Sequence, residues 1–322
     1  MLTRRKLHGS SSSHSLMRGS IKENITIIKI TKGKSRTPRR SSSPIPRIKN
    51  ISNLPLSESI PQTFLITEAQ SFIPKPLAHQ IITPENRSMM VDWMVEVTAT
   101  FCTPQTFFLA TKIMDKFFAV FIKPLETSML HVLGVTSMFI ASKFEDNVPL
   151  RLKQIIEKIA HNRLTYPDIK ITELLMLKFL GFRVNFTTCY DFLLSLATEF
   201  RLPQSVFETA KIICYYSQIF YSHLDFKASQ VGFSALIIAC TSLNQHSVAS
   251  KLIEKYKDGE SLNPIIKKIR ADILDLPRLK NLYASPAKFL EFEIALKTPG
   301  PLFRFLNPYV EQEQQRLLSN PN

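Results

Sequence analysis

The chain has 322 residues, enough for one large or two medium domains with buried cores, and its 44% hydrophobic content and zero mean hydropathy are those of a soluble globular protein. Of its net charge of +15, +12 falls in residues 1–50, where thirteen Lys and Arg face one acid, Glu23; the near-neutral remainder speaks against a globular basic face for nucleic acid and leaves a basic tail. The four cysteines, Cys102, Cys189, Cys214 and Cys240, form no C-x-x-C pair, which excludes a disulfide framework or zinc ribbon, and no run of about 20 apolar residues offers a membrane span.

Residues 1–58 lack hydrophobic periodicity, carry the serine runs Ser10–Ser13 and Ser41–Ser43, and end in a proline-rich stretch, so a disordered basic regulatory tail is expected. Its Arg-rich, acid-poor start also fits a transit peptide, against which Pro38, Pro44, Pro46 and the missing amphipathic pattern count. No apolar core of a secretory signal is present at the start of the sequence. Three short signals stand in the tail. Lys22-Glu23-Asn24 matches the KEN degron read by the anaphase-promoting ubiquitin ligase, Arg4 and Leu7 supply the R-x-x-L core of a destruction box, and Thr37 opens a proline-directed phosphosite, Thr37-Pro38-Arg39-Arg40. The run from Lys32 to Arg40 doubles as a candidate nuclear import patch.

A helical segment within Gln62 to Gln80 comes next, and Thr83-Pro84-Glu85 reads as the start of another helix, with proline at a permitted early position. That helix, Asn86 to Phe101, has two faces. Met90, Met94, Val97 and Phe101 make one apolar stripe, while Met89 and the single tryptophan, Trp93, start a second that continues through Glu96. The second face is either a shallow groove for a partner or the flank of a helix buried on most sides. Helical patterns follow at Gln105–Phe121, Thr127–Phe144, Leu150–Ala160 and Pro167–Leu180, with no strand alternation, which predicts an all-α bundle. The Thr127–Phe144 helix is apolar on every side and carries Gly134, Ser137, Ala141 and Ser142, so it belongs at the bundle centre; it then ends in the charged, aromatic tip Lys143-Phe144-Glu145-Asp146.

A second copy of this unit lies 98 residues on, where Gly232, Ile238 and Ala239 fall under Gly134, Ile140 and Ala141, and Thr241 falls under Lys143. Its other helices read as Tyr190–Glu199, Gln204–Tyr221, Val248–Lys257 and Pro264–Leu274. Tyr215, Tyr216, Phe220 and Tyr221 are expected in its core.

The runs RSMMVDWMVEV, LATKIMDKFF and LGVTSMFIASKFEDNVP, preceded by TFLITEAQSFIPKP and followed by NLYASPAKF, closely resemble the cyclin box of A/B-type mitotic cyclins in order and spacing. The resemblance covers about residues 60–295. It implies two tandem cyclin-box bundles of about five helices each, with an N-terminal helix: residues 59–185 for that helix and the first box, 186–297 for the second, and 298–322 as a C-terminal extension. By the same resemblance, Arg87 and Asp115 form a structural ion pair. Lys143 and Glu173 contact a cyclin-dependent kinase, together with an apolar surface of Ile140, Phe144, Leu177, Phe182 and Val184. Met89, Met90, Trp93, Glu96 and His131 form a groove for Arg-x-Leu substrates or inhibitors. The chain departs from the family pattern at Asn86, Ser88 and His131, where methionine, alanine and glutamine are usual.

No Ser–His–Asp, Cys–His or metal-ligand constellation and no glycine-rich phosphate loop stands out. The expectation is therefore a non-enzymatic, kinase-activating subunit without cofactor, metal or membrane, acting in nucleus and cytoplasm. The competing readings are a transcription-type cyclin and a tandem cyclin-fold factor of the TFIIB type on DNA. The latter lacks its zinc ribbon and basic repeats here.

Overall fold

A computed structural model describes residues 60–256 and 261–279, so the calls on Arg4, Leu7, Lys22, Glu23, Asn24 and Thr37 lie outside the described residues. Among those described there are helices and no strands. A first helix, α1 (Gln62–Ser71), precedes a bundle of α2 (Pro84–Phe101), α3 (Pro104–Val120), α4 (Leu130–Glu145), a short helical segment at 152–159, and α5 (Tyr166–Phe179). The second bundle holds α6 (Cys189–Glu199), α7 (Gln204–Ile219), α8 (Ala228–Ser242), α9 (His246–Lys255) and α10 (Asn263–Leu279).

Local chemistry sets the helix starts. Thr83 and Asn86 exchange hydrogen bonds at the start of α2, and Thr165 with Asp168 and Thr188 with Asp191 do the same for α5 and α6. In each case the threonine hydroxyl satisfies an orphan backbone N–H that the helix cannot. The C-terminal end of α3 is closed from a distance: Gln80 donates through Nε2 to the carbonyls of Phe118 and Phe121 at 2.8 and 2.7 Å, and its Oε1 accepts from Leu125 N at 2.8 Å.

The two central helices are built alike. In α4 every residue from Val132 to Ser142 is buried, as is every residue from Ser229 to Cys240 in α8. A Cβ on Gly134 would stand 2.0 Å from the Met90 methyl of α2, and one on Gly232 would stand 3.0 Å from Phe192 Cβ and from the Cys189 carbonyl of α6. Each glycine thus lies where the central helix crosses the first helix of its own bundle, which is the close approach that the missing side chain permits.

A seam of rings joins the bundles: Phe108 of α3 stacks on Tyr190 of α6 at 5.1 Å, and Tyr215 of α7 lies 4.8–4.9 Å from Phe107 and Phe108. At its edge sits a fully buried guanidinium. Arg87 donates to both carboxylate oxygens of Asp115, at 2.8 and 2.7 Å, and its third nitrogen donates to the Gln218 carbonyl at 2.7 Å. Ser88 Oγ donates to the next carbonyl, Ile219 O, at 2.7 Å. The pair therefore ties α2 to α3, and the same guanidinium also caps the end of α7, where orphan carbonyls and the helix dipole favour a cation.

α1 docks on the second bundle. Buried Glu68 accepts from Ser229 N at 2.6 Å and from Ser229 Oγ at 2.9 Å, at the start of α8. Burial raises its carboxyl pKa, and these two hydrogen bonds oppose that rise only in part.

Several sequence expectations need correction. The segment expected as a helix over Leu150–Ala160 is a single α turn, Leu152–Gln154, followed by a π turn, Ile155–Ile159. α7 stops at Ile219, and Tyr221 falls in a 3-10 turn, Tyr221–Asp225, because Tyr221 turns its hydroxyl to accept from Leu77 N at 3.2 Å. Phe220 and Tyr221 are half-buried, whereas Tyr215 and Tyr216 are core.

Asp115→Asn strips the charge that offsets a guanidinium with no access to water. It should lower the unfolding free energy by about 3–5 kcal/mol, and Ser88→Ala by about 1 kcal/mol, in urea titrations. A loss below about 1 kcal/mol for Asp115→Asn would show that the buried pair does not hold α2 to α3.

Candidate functional site

The C-terminal end of α4 projects a charged cluster. Lys143 Nζ pairs with Glu173 of α5 and lies 4.0 Å above the Phe139 ring, while Lys170, one turn before Glu173, takes its other oxygen at 3.2 Å. Glu173 is buried; the Lys143 side chain keeps 37% of its exposure. Partial burial, then the neighbouring Lys170 charge, lowers the pKa of Lys143. Two ammonium groups share one carboxylate, so the cluster retains a net positive charge and unused N–H donors that can meet a carboxylate or carbonyl on a partner.

The apolar surface beside this cluster differs in part from the expected one. Phe144 and Phe182 are exposed, at 52% and 64%, and Leu177 and Val184 are half-buried, but Ile140 is core at 4%. Ile140 faces inward because it shares the all-round apolar rod of α4, where only the last turn emerges. Val148 and Leu174, exposed at 77% and 47%, belong to the exposed apolar residues of this region and were missed. Leu174 follows Glu173 directly, so helical position could have found it; Val148 lies in a loop without periodicity. Phe182 is held outward by its backbone, which adopts a left-handed φ of 59° after Gly181 at 60°, with Phe182 N bonded to Leu177 O at 2.8 Å. A bulky residue in that conformation is strained and persists only where the surroundings fix it.

Asp146 anchors the tip. Its Oδ1 accepts from Thr103 N at 3.1 Å and from Thr103 Oγ1 at 2.7 Å, so the loop after Lys143 is bound to the start of α3. Burial and the neighbouring Asp146 push the Cys102 thiol up to about 12, and burial pushes Cys240 up to about 11, so neither is poised as a thiolate.

The second face of α2 is neither fully buried nor flat. Met89 is 46% exposed, Trp93 is half-buried and Glu96 is exposed, and the Trp93 ring meets His131 of α4 edge-on at 5.4 Å. Met90, expected in this groove, is instead buried, with its methyl group over Gly134. Asn86 sits at the half-buried start of the helix as the capping partner of Thr83. Burial, then the charges of Arg163 and His161, lowers the pKa of His131 below its ordinary 6.5.

A Ser–His–Asp chain does occur in three dimensions. His223 Nε2 donates to Asp272 at 2.7 Å and its Nδ1 meets Ser217 Oγ at 3.0 Å. Against the upward push of burial, hydrogen bonds from His223 and Lys268 hold the Asp272 carboxyl below its usual range. Ser217 and His223 are 1% and 2% exposed, so no substrate reaches the hydroxyl, and the chain serves to fasten α10 to the end of α7.

Among known proteins, the family described as cyclin, N-terminal domain, matches residues 59–185, the stretch that holds α1 and the whole first bundle. Residues 59–185 are thus a cyclin N-terminal domain. Relatives include the G2/mitotic-specific cyclin-B3 of Mus musculus, 26% identical over 68% of this chain and 16% of that protein. The S-phase entry cyclin-5 of Saccharomyces cerevisiae is 30% identical over 57% of this chain and 42% of the relative, and cyclin-A2-2 of Arabidopsis thaliana is 29% identical over 52% and 39%. The chain thus spans 16% to 42% of the length of these three relatives. The structure of a viral cyclin from herpesvirus saimiri superposes with a TM-score of 0.55 over 66% of this chain and 95% of that one, at 15% identity, a likeness of fold. Among the described residues both bundles are all-helical, in accord with a tandem cyclin fold.

The His131 shift has a measurable sign. Because the folded ring holds its proton more weakly than the unfolded chain, the unfolded state protonates first as pH falls, so this residue's contribution to stability is full above 6.5 and declines below it. His131→Gln should therefore flatten the fall in unfolding free energy between neutral and mildly acid pH. Equal slopes for the two proteins would show that the ring is not kept neutral by its surroundings.

Proposed function

We propose that this cyclin binds and activates a cyclin-dependent protein kinase, supplying contacts and no catalytic group, in the mitotic part of the cell cycle. The observation that carries this reading is the tip of α4: on a rod that is otherwise apolar and buried, Lys143 emerges beside exposed Phe144, with Glu173 and Lys170 behind it and Phe182 held outward by a left-handed backbone. A fold has no use for that arrangement. The second bundle has Thr241 at the equivalent place, where its hydroxyl turns back to bond the Ile237 carbonyl at 2.7 Å and offers nothing outward. A positive tip with apolar flanks fits a partner element with an acidic or carbonyl-rich end and an apolar stripe, and binding would bias the kinase toward its active arrangement.

The test is affinity for, and activation of, a panel of cyclin-dependent kinases by Phe144→Asp, Phe182→Asp and Lys143→Ala proteins. The two phenylalanines are exposed, so these variants should melt as the wild type does. Each should weaken kinase binding by about thirtyfold or more, the loss expected of an interface anchor. Wild-type affinity in folded variants would overturn the assignment.

By the same reading, the Trp93 face receives Arg-x-Leu segments of substrates or inhibitors, with the arginine at Glu96. The tail would time destruction through a ubiquitin ligase, and the protein would act in nucleus and cytoplasm. Replacing Lys22, Glu23 and Asn24 by alanine, with Arg4 and Leu7, should lengthen the protein's half-life at mitotic exit; an unchanged half-life would remove the degron.

A further inference from the structure

The turn between α2 and α3 carries a hydroxyl that reaches across to the end of α4. Thr103 stands on the surface directly before Pro104, the first residue of α3. Its backbone is extended (φ −80°, ψ 161°), as a residue before proline favours, and so is that of Cys102 (φ −139°, ψ 171°). Thr103-Pro104 is thus an exposed threonine–proline step on an extended segment, the minimal feature that proline-directed protein kinases read.

Asp146, the residue that closes α4, depends on this threonine. Its Oδ1 accepts from both the Thr103 hydroxyl and the Thr103 N–H, while its Oδ2 is buried with no hydrogen-bond partner among the described residues. Neither Asp146 nor its neighbour Glu145 forms an ion pair among the described residues. The hold extends back into the tip: Asp146 N donates to Ser142 O at 3.0 Å, and Ser142 Oγ accepts from Leu150 N at 3.2 Å. Lys143, Phe144 and Val148 lie between these bonds, so the shape of the tip rests in part on one threonine of another helix. The other threonine–proline step of the described residues, Thr83-Pro84, differs in this respect. Its hydroxyl bonds Asn86 of its own helix, so a change there stays local.

We propose that Thr103 is a phosphorylation site and that its phosphate releases the tip of α4. In the transfer, Thr103 Oγ1 attacks the γ-phosphorus of ATP, the hydroxyl proton passes to the base of the modifying kinase, and ADP leaves. The product differs from threonine in two ways that matter to Asp146. The ester oxygen carries no proton, so a donor is lost, and a group of about −1.5 to −2 charge now stands against a carboxylate with one oxygen already unmatched. The phosphate is favoured where it is, because it lies at the N-terminus of a 17-residue helix, whose backbone N–H groups and dipole attract an anion. Asp146 is therefore the anion that leaves. With it goes the hold on residues 146–150, and the last turn of α4, with exposed Phe144, frays. Phosphorylation thereby lowers kinase affinity, a consequence that rests on the reading of the tip as a kinase-binding surface.

The experiment treats the full chain and its Thr103→Val variant with ATP and a mitogen-activated protein kinase as the proline-directed enzyme. Phosphorylated residues are mapped by peptide mass spectrometry. Backbone amide exchange over residues 144–150, and affinity for the panel of cyclin-dependent kinases, are read before and after treatment. Valine removes the acceptor, so the treated variant carries any phosphates placed elsewhere and isolates the effect of Thr103. The expected result is phosphate on Thr103, with exchange over 144–150 about tenfold faster in the treated wild type than in the treated variant. Kinase affinity should fall by a similar factor, as when about one molecule in ten keeps the tip ordered. The difference should narrow at high salt, which weakens the repulsion and leaves the loss of the hydroxyl donor, common to both proteins, unchanged. A Thr103 left unmodified while other Ser-Pro or Thr-Pro steps accept phosphate would overturn the proposal, as would equal exchange in the two treated proteins. Faster exchange in the treated wild type, with no form of the protein binding any kinase, would uphold the switch and overturn the kinase-binding reading of the tip.

Discussion

A guanidinium with no exposure to water imposes the strictest requirement in this chain. Burying an ionised group is costly, and the cost is offset only when its charge and all its donors are matched. Arg87 meets the requirement with groups from two other helices, the carboxylate of Asp115 on α3 and the Gln218 carbonyl of α7, and Ser88 adds the neighbouring Ile219 carbonyl. Helices α2, α3 and α7 therefore cannot shift independently without exposing or orphaning a charge. The same helix, α2, carries Met89, Trp93 and Glu96 on its outer side, so the orientation of the groove is set from the inside by Arg87.

The chain uses one helical unit twice and gives the copies different work. Gly134 and Gly232 perform the same packing task, each admitting the first helix of its own bundle against the central one. The ends of the two central helices have diverged: Lys143 reaches out over Phe139 to Glu173, and Thr241 folds back on its own helix. Stability needs only what the copies share. The difference that faces outward falls in the last turn, where a change of residue disturbs little buried area.

Much of this was legible in the sequence, for reasons that can be named. The all-round apolar pattern of α4 and α8 announced their central position, the paired glycines announced the repeat, and the order of the motifs announced a cyclin box. What escaped were features decided by contacts between distant residues. Periodicity put Met90 on the buried stripe of α2 and the family resemblance put it in the groove; periodicity was right, and the burial is completed by the space over Gly134, 44 positions away. Ile140 was assigned to the surface by the family resemblance, yet on an all-round apolar helix only the last turn emerges and Ile140 stays inside. Ser88 looked like a mere departure from a family pattern, and its hydroxyl turns out to hold the end of α7. The left-handed backbone of Phe182 and the π turn at Ile155–Ile159 have no periodic signature at all.

The contact between Glu68 and Ser229 bears on how the protein comes into being on the ribosome. The two residues are 161 positions apart, and Glu68 belongs to the first of the described helices. Its helix, α1, therefore leaves the ribosome long before the start of α8, which it caps, has been synthesised. Over that interval the carboxylate stays solvated and the inner side of α1 stays uncovered, since loop closure over such a span must precede any gain from the contact. The element nearest the N-terminus of the described structure thus has to wait for its docking site, and a nascent chain arrested within the first bundle would present α1 to chaperones with the Glu68 carboxylate unmatched.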